Sequence, residues 1–261
     1  MDLSQIGYTL CMNLVLVTLL MIVSYFFYLV ERKGAIFDIA WAGGFMITTI
    51  VSFLELDGYF WRKTLLFFLV ILWSCRLGSV FFRRYLEKEE EGRFAAVRDY
   101  FHAPQEWKFF LLFLLQGVAI VVLSWPFQLI ASNPSLTFSA LEYWAILIWI
   151  IGYIGEIIAD TQLREFKMEP ANKNKVCTTG LWRFSRHPNY FFEWIIWIAF
   201  FLLAFDAPAG FTAIISPILM FWLLRKVSGI QAAEEIAVRT IGQEYVNYQK
   251  STNAFFPWFP K

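Results

Sequence analysis

Seven long apolar runs, separated by charged loops, constrain this chain more than any other feature of its sequence. Of the 261 residues, 59% are hydrophobic and 16% are charged, and a soluble domain of this length would lack the polar surface to cover itself. Lipid offers backbone N–H and C=O groups no partner, so runs of this length must be helices. We therefore predict an all-α integral membrane fold, a bundle of seven transmembrane helices. The runs lie approximately at 6–30, 36–56, 64–82, 109–131, 140–160, 189–205 and 210–227.

The lysines and arginines are distributed unevenly among the loops, and this predicts the orientation. Loops 132–139 and 206–209 carry no positive charge, and only Arg62 and Lys63 fall on their side of the membrane. Cytoplasmic loops of membrane proteins carry an excess of Lys and Arg. We therefore predict that the N-terminus lies outside and the C-terminus inside. The basic residues then assigned to the cytoplasm are Arg32, Lys33, those of 83–108 and 164–186, and those of the tail from Arg225.

The C-terminal tail follows the last apolar run and differs from it in composition. Residues 231–250 combine acidic and basic side chains with Ile236, Ile241 and Tyr245. This pattern predicts an amphipathic helix that lies under the bundle or along the membrane surface. No internal repeat, low-complexity tract or second domain is visible, so we expect residues 1–261 to form a single membrane domain.

The stretch 180–194 contains the densest group of candidate functional residues. Its donors precede the expected start of a helix, where unpaired N–H groups and the helix dipole attract anions. Glu193 lies one turn beyond Asn189 on the same face, inside the apolar region, where a carboxylate needs a partner, a ligand or a wet cavity. The alternative is a juxtamembrane loop whose arginines only follow the positive-inside rule. The donors are Arg183, Arg186, His187 and Asn189.

A second group of charges lies at the end of the fifth apolar run. Glu156, Asp160 and Arg164 are spaced i, i+4, i+8, and Lys167 continues this stripe approximately. Two carboxylates and a guanidinium on one helix face can bind a polar ligand at the membrane boundary. The alternative is a ladder of i, i+4 pairs that satisfies itself and solubilises the end of the helix.

Two charged residues stand out in the N-terminal half. Asp38 is surrounded by apolar and aromatic residues near the start of the second run, which would raise its pKa and make it a plausible proton donor; alternatively it caps that helix or interacts with its dipole. Arg76 lies well inside the third run, and an intramembrane arginine is a functional-site hypothesis by default. The alternative is a side chain that snorkels to the interface. Its candidate partners are Asp38, Glu156 and Glu193.

Several other classes of site have no motif in this chain. The run Glu87–Arg98 is most simply a solvated helix or loop, although Arg93 and Arg98 could reach a phosphate. Basic residues are mixed with acidic ones, so we expect no nucleic-acid partner. No glycine-rich Rossmann or P-loop motif is present, and the three cysteines lack the spacing of a metal site, so we expect no metal.

Taken together, the motifs resemble the C-terminal domain of steroid 5α-reductases. The likeness is strongest to a bacterial branch of that superfamily with Arg-His-Pro-Asn-Tyr in the central motif, and it is stronger from about residue 90 onward. The matching residues are Glu156-x-x-x-Asp160-x-x-Leu163-Arg164, Gly180-Leu181-Trp182, Asn189-Tyr190, Glu193-Trp194, Lys226 to Ile230 and Thr252 to Trp258.

The resemblance implies a seven-helix bundle that holds NADPH in its cytoplasmic loops and reduces a conjugated C=C bond in a lipophilic enone. Residues 91–261 would then form the cofactor half and residues 1–90 the substrate half. The implied catalytic residues are Asp38, Trp73 and Arg76, although Phe37 replaces a family glutamine and Trp73 replaces a catalytic tyrosine. The implied cofactor-binding residues are Glu156, Asp160, Arg164, Lys167, Arg183, Arg186, His187, Asn189, Tyr190, Glu193 and Tyr245.

Two other functions stay open at this point. Isoprenylcysteine and phospholipid methyltransferases, which use S-adenosylmethionine, carry a similar Arg-His-Pro-x-Tyr stretch followed by a glutamate. The altered catalytic positions also leave room for a lipid-binding membrane protein without catalysis. The resemblance implies a multi-pass protein of a bacterial inner membrane, with its cofactor on the cytoplasmic side and the bilayer and a lipophilic small molecule as partners.

Overall fold

A computed structural model describes residues 3–86, 106–227 and 229–260 of the chain. All regular secondary structure in these ranges is helical, and they contain no strand, which confirms the all-α prediction. The charged run Glu87–Arg98 and the serine of the Lys226 to Ile230 motif lie outside the described residues.

The described residues contain ten α-helices. Three 3₁₀ turns occur at Pro170–Asn172, Gly180–Arg183 and Gly210–Ile214, and a π-helix occurs at Leu223–Val227. The α-helices are α1 Leu3–Glu31, α2 Ala35–Glu55, α3 Phe60–Leu86, α4 Glu106–Leu123, α5 Trp125–Ser132, α6 Ala140–Met168, α7 Pro188–Ala204, α8 Ile215–Trp222, α9 Ile230–Ile241 and α10 Gln243–Ser251.

Six helical stretches among the described residues are long and apolar enough to cross a membrane. The shorter apolar helix α7 is the seventh candidate. All seven predicted runs therefore coincide with apolar helices, and they indicate a multi-pass membrane protein. The orientation of the termini stays a prediction. The six stretches are Leu3–Glu31, Ala35–Glu55, Phe60–Leu86, Trp107–Ser132, Ala140–Met168 and Gly210–Ile241.

The fourth run is interrupted between α4 and α5. Pro126 occupies the first turn of α5, and a proline cannot donate the hydrogen bond that a continuous helix needs at that position. Ser124, at the break, forms a hydrogen bond of 2.8 Å between its hydroxyl and that of Thr48 on α2. The side chain at the break is therefore bonded inside the protein rather than exposed to lipid, where a hydroxyl would have no partner.

The chain divides into two compact units. Unit 1 comprises residues 1–139 and 203–216, and unit 2 comprises residues 140–202 and 217–261. The halves expected from the sequence meet near residue 90, whereas the compact units divide between Ser139 and Ala140. The prediction of a single membrane domain is not tested by this division.

Unit 1 has its core where α2, α3 and α5 meet. Phe45 is fully buried, and its ring packs edge-on against Trp73 at 5.2 Å and against Phe127 at 6.3 Å. A Cβ atom at Gly44 would lie 2.7 Å from the side chain of Ile120, so α2 and α4 approach closely there. Close contact of this kind is typical of small residues at helix interfaces in membranes.

Unit 2 is built on the contact between α6 and α7, joined to the C-terminal tail. The tail forms two helices, α9 and α10, because Gly242 adopts a left-handed φ of 77° between them. The tail is therefore helical as predicted for residues 231–250, but it forms two helices rather than one. The turn allows Tyr245 and Tyr248 of α10 to be buried in one cluster with Val176.

Candidate functional site

The contact between α6 and α7 brings polar residues of the two helices together. A Cβ atom at Gly155 would lie 2.4 to 2.6 Å from the ring of Phe192, so the helix surfaces are close. At the end of this contact the Asn189 amide donates a hydrogen bond of 3.1 Å from Nδ2 to Oδ1 of Asp160. Two residues that the sequence predicted as ligand-binding are thus placed side by side.

Two buried glutamates lie one helical turn further into the apolar part of unit 2. Glu156 is four residues before Asp160 on α6 and is 4% exposed, and Glu193 is four residues after Asn189 on α7 and is 6% exposed. Glu193 accepts a hydrogen bond of 2.9 Å from the indole N–H of the fully buried Trp197. Carboxylates this deep are retained only where partners or a ligand stabilise them.

The amide of Asn189 has one atom left for a ligand. Its Nδ2 group is engaged by Asp160, whereas its Oδ1 atom is buried and accepts no hydrogen bond from the part of the chain that the structure describes. Because the carboxylate can only accept, it fixes the amide with its oxygen pointing away from Asp160. An N–H or O–H donor on a ligand would satisfy this oxygen.

The start of the 180–194 stretch is attached to α6 by two hydrogen bonds. The backbone N–H of Leu181 donates to Oε1 of Gln162, and the indole N–H of Trp182 donates to the carbonyl of Ala159, both at 2.9 Å. Gly180 has a φ of 57°, and a Cβ atom there would lie 2.4 Å from the Gln162 side chain. The glycine is therefore required both by its backbone conformation and by the contact with α6.

The cationic residues of the predicted site fall into two classes. Arg164, Lys167 and Arg183 are exposed, and their charges are accessible to an anionic ligand. Arg186 and His187 are buried, at 9% and 6% exposure, and both contact the carboxylate of Glu234 on α9.

Arg186 fixes the loop to the tail. Its Nε donates to Glu234 at 2.7 Å, and its Nη1 donates to the carbonyls of Gln249, at 3.0 Å, and Thr252. Its backbone N–H also donates to the carbonyl of Asn253 at 2.8 Å. Most of the guanidinium is therefore used inside unit 2.

His187 is held in the same network. Its Nε2 lies 3.2 Å from Oε1 of Glu234, and its ring stacks on Tyr190 with centroids 5.4 Å apart and planes within 5°. Burial lowers the pKa of His187 below its ordinary value, and the neighbouring Arg186 charge acts in the same direction, while Glu234 opposes both. The predicted ligand residue Tyr190 thus has its ring against His187.

The tail tyrosines lie beneath this loop. Burial raises the pKa of Tyr245 and of Tyr248 well above the ordinary value, so both hydroxyls stay protonated. The Tyr248 hydroxyl donates to the carbonyl of Trp182 and lies 3.3 Å from that of Ser185. Tyr245 was predicted to bind cofactor, and the structure places it in the cluster with Val176 and Tyr248.

The three predicted catalytic residues all belong to unit 1. Asp38 is 7% exposed and lies in the first turn of α2, whose N-cap residue is Gly34, so Asp38 is not itself the cap. Trp73 is fully buried against Phe45. Arg76, one turn along α3 from Trp73, is partly buried.

Asp38 and Arg76 lie at different depths along their helices. Gly78 on α3 is level with Ala42 on α2, since a Cβ atom at Gly78 would lie 3.7 Å from that of Ala42. The backbone of Arg76 is therefore level with the residues just beyond Ala42, about one to two helical turns along α2 from the backbone of Asp38 at roughly 1.5 Å per residue. This offset describes the two backbones and not the reach of the side chains.

Comparison with known protein families identifies one family whose model matches most of this chain. The model of a family described as a protein of unknown function, DUF1295, matches residues 24–252. The chain belongs to this family. DUF1295 is a steroid 5α-reductase-like family of membrane proteins, so the resemblance inferred from the motifs is confirmed at that level.

One curated relative of this DUF1295 protein is an uncharacterized protein of Schizosaccharomyces pombe. It is 25% identical over 230 residues, and the match covers 75% of this chain and 63% of the relative. The chain therefore spans less than two-thirds of that relative's length. No solved structure gives a significant match.

Glu234 and Gln162 were missed in the sequence, although both position the predicted site. A signal for Glu234 does exist: Glu235 has Arg239 four residues later, whereas Glu234 has no basic residue within one turn on either side. A carboxylate without such a neighbour is a candidate for a distant partner. Gln162 gives no comparable signal, since a glutamine near a helix end is usually solvated.

Proposed function

We propose that this DUF1295 protein is an NADPH-dependent membrane reductase that reduces a conjugated C=C bond in a lipophilic substrate. The observation that carries the proposal is the Asp160–Asn189 pair, which leaves the buried Asn189 Oδ1 as an oriented acceptor. The pair lies one turn from the buried Glu156 and Glu193. Asp160, Asn189 and Glu193 match cofactor-contacting positions of the steroid reductase pattern, in which asparagine stands at the position of Glu156.

The residues of unit 2 fit a nicotinamide cofactor. A carboxamide N–H matches the free acceptor of Asn189, and the exposed Arg164, Lys167 and Arg183 can pair with phosphates. Arg186 and His187 contribute less than the sequence suggested, because Glu234 and the tail carbonyls already engage them.

The cofactor supplies hydride chemistry, and the chain supplies orientation and electrostatics. Asn189 and Glu193 would orient the nicotinamide end from α7, while Asp160 holds the Asn189 amide in one rotamer. Asp38, which is buried on α2, is the proposed acid of unit 1, and its protonated carboxyl would polarise a substrate carbonyl.

Cofactor-dependent thermal stabilisation of the detergent-purified protein tests the proposal. A ligand that binds only the folded state raises its apparent stability by mass action, by about 2.7 kcal/mol at a hundredfold excess over Kd. We expect NADPH to raise the Tm and Arg164→Ala to remove most of the shift. Arg239→Ala, which changes an exposed arginine on α9, is the matched control and should keep it. A wild-type protein that NADPH does not stabilise would contradict the proposal.

A specific observation also favours a second function, S-adenosylmethionine-dependent methyl transfer. With Arg186 and His187 bound to Glu234, unit 2 presents fewer phosphate-pairing cations than the sequence suggested. S-adenosylmethionine carries no phosphate, so a site that binds it needs fewer of these cations. The same experiment separates the two functions, since stabilisation by S-adenosylmethionine and not by NADPH would favour the methyltransferase.

A further inference from the structure

The carboxylate of Glu234 is the point at which the central loop and the C-terminal tail are joined. Its Oε1 atom lies 2.7 Å from Nε of Arg186 and 3.2 Å from Nε2 of His187, and its Oε2 accepts from Nε2 of Gln249 at 2.8 Å. One side chain of α9 thus contacts two consecutive loop residues and one residue of α10.

Backbone hydrogen bonds extend this junction along the tail. The hydroxyl of Ser185 donates to the carbonyl of Phe255 at 2.9 Å, and the N–H of Trp258 donates to the carbonyl of Phe184 at 2.8 Å. Beyond them, Phe255 packs against Phe191 and Phe221, with centroids 5.9 and 5.2 Å apart. The loop and the last residues of the chain therefore form one bonded structure.

The junction is continuous with the candidate ligand site. α7 begins at Pro188, directly after His187, and the carbonyl of His187 accepts the N–H of Phe191 at 3.2 Å. Asn189, whose buried Oδ1 accepts no hydrogen bond from the described residues, lies in this first turn. Any shift of Arg186 and His187 therefore moves Asn189, and a shift of about 1 Å in a positioning group can cost two orders of magnitude in rate.

We propose that Glu234 is a positioning residue: its carboxylate fixes Arg186 and His187 and thereby sets the first turn of α7, from which Asn189 meets its ligand. Removing the negative charge leaves the Arg186 guanidinium buried at 9% exposure without its counter-ion, which favours its displacement toward water. The identity of the ligand rests on the proposed function, but the positioning of the loop does not.

Hydrogen exchange of the full-length, detergent-purified protein without ligand tests the positioning directly. In Glu234→Gln, we expect amide exchange to accelerate about tenfold or more in peptides of 180–190 and 252–258, since these segments open locally when their junction weakens. Peptides of α1 to α3 should be unchanged. Glu235→Gln, at the exposed neighbouring position, is the matched control and should resemble the wild type.

Equal exchange in Glu234→Gln and Glu235→Gln would overturn the proposal, and so would acceleration spread evenly over the whole chain. If Glu234→Gln cannot be purified, Gln249→Leu replaces it. That change removes one hydrogen bond to the carboxylate and keeps its charge, so a smaller acceleration confined to the same segments is expected, and an unchanged pattern would again contradict the proposal.

NADPH affinity supplies the readout that a purely structural role would not change. We expect Glu234→Gln to weaken NADPH binding about tenfold or more when affinity is measured well below the ligand-free Tm of each variant, whereas Glu235→Gln should keep the wild-type affinity. In an Arg186→Gln background, adding Glu234→Gln should have little further effect, because both act through one contact. If the effects of Arg186→Gln and Glu234→Gln on NADPH affinity are fully additive, the proposal is contradicted. A wild type that does not bind NADPH would refute the proposed function, while the exchange result would still decide the positioning.

Discussion

Arg62, near the start of α3, is a buried cation that bonds to the connection between α5 and α6. It is 1% exposed, and its guanidinium donates to the carbonyls of Ser135 and Thr137. Its guanidinium carbon lies 4.8 Å from the centroid of the Phe138 ring. The charge count of a loop predicts sidedness, but it does not reveal that a guanidinium is the donor for carbonyls about 75 residues later in the chain.

Replacement of Arg62 should therefore lower stability. A lysine keeps the charge but lacks the planar fork that reaches two carbonyls at once, so Arg62→Lys should cost about 1–3 kcal/mol, the usual penalty for buried groups left without a hydrogen bond. Thermal unfolding of the purified protein measures this. Arg83→Lys, at an exposed position at the end of α3, should leave the Tm unchanged. Equal Tm values for both variants would contradict the structural role.

Asp38 is the residue on which the proposed chemistry depends most. Under the proposed function, Asp38→Asn should lower turnover about 10²- to 10⁴-fold, the usual contribution of a general acid, because the amide cannot donate a proton. The dissociation constant for NADPH should stay within about twofold of the wild type, since the proposed mechanism gives Asp38 a role in turnover and none in cofactor binding. Asp57→Asn, on the exposed α2–α3 connection, is the control. Unchanged turnover in Asp38→Asn would remove Asp38 from the mechanism.

At the scale of helices, apolar length predicted where the segments lie but not where they break. Seven runs were visible, yet the interruption at Ser124 and the turn at Gly242 depend on one proline and one positive φ. The contact of α6 with α7 was equally hidden, since Gly152 and Gly155 were not distinguished from other glycines in apolar runs. Their importance comes from Phe192 and Ile196 on the facing helix.

A methyl group at Gly155 tests this contact. In a free helix Gly→Ala stabilises, but here the Cβ atom would lie 2.4 to 2.6 Å from the Phe192 ring, so Gly155→Ala should separate α6 from α7 and lower the Tm. Gly7→Ala, where no atom lies within 4 Å, should be neutral or stabilising. Adding Phe192→Leu to Gly155→Ala should recover part of the loss. A Gly155→Ala variant as stable as Gly7→Ala would show that the helices are not in tight contact.

For the molecule as a whole, composition was sufficient to predict the fold class, and the spacing of residues along single helices was sufficient to predict half of the candidate site. Glu156 and Asp160, like Asn189 and Glu193, are i, i+4 pairs, which a sequence displays directly. The junction at Glu234 joins residues 47 and 48 positions apart, and Arg186 reaches a carbonyl 66 positions away. Such pairs leave no periodic pattern, because only the packing of the tail brings them together.

The uneven distribution of basic residues predicts which loops lie outside the membrane and which lie in the cytoplasm, and the helical fold by itself does not. A cysteine at Leu136, 72% exposed in a loop without positive charge, should react with a membrane-impermeant maleimide added to intact cells. A cysteine at Lys173, exposed among the basic residues 164–186, should react only after the membrane is opened. The chain without an introduced cysteine gives the background from Cys11, Cys75 and Cys177.

The reverse labelling pattern would invert the orientation and place Arg164 and Arg183 on the outer face. NADPH is a cytoplasmic cofactor, so the reductase proposal would then fail together with the topology, whereas the helical fold would stand.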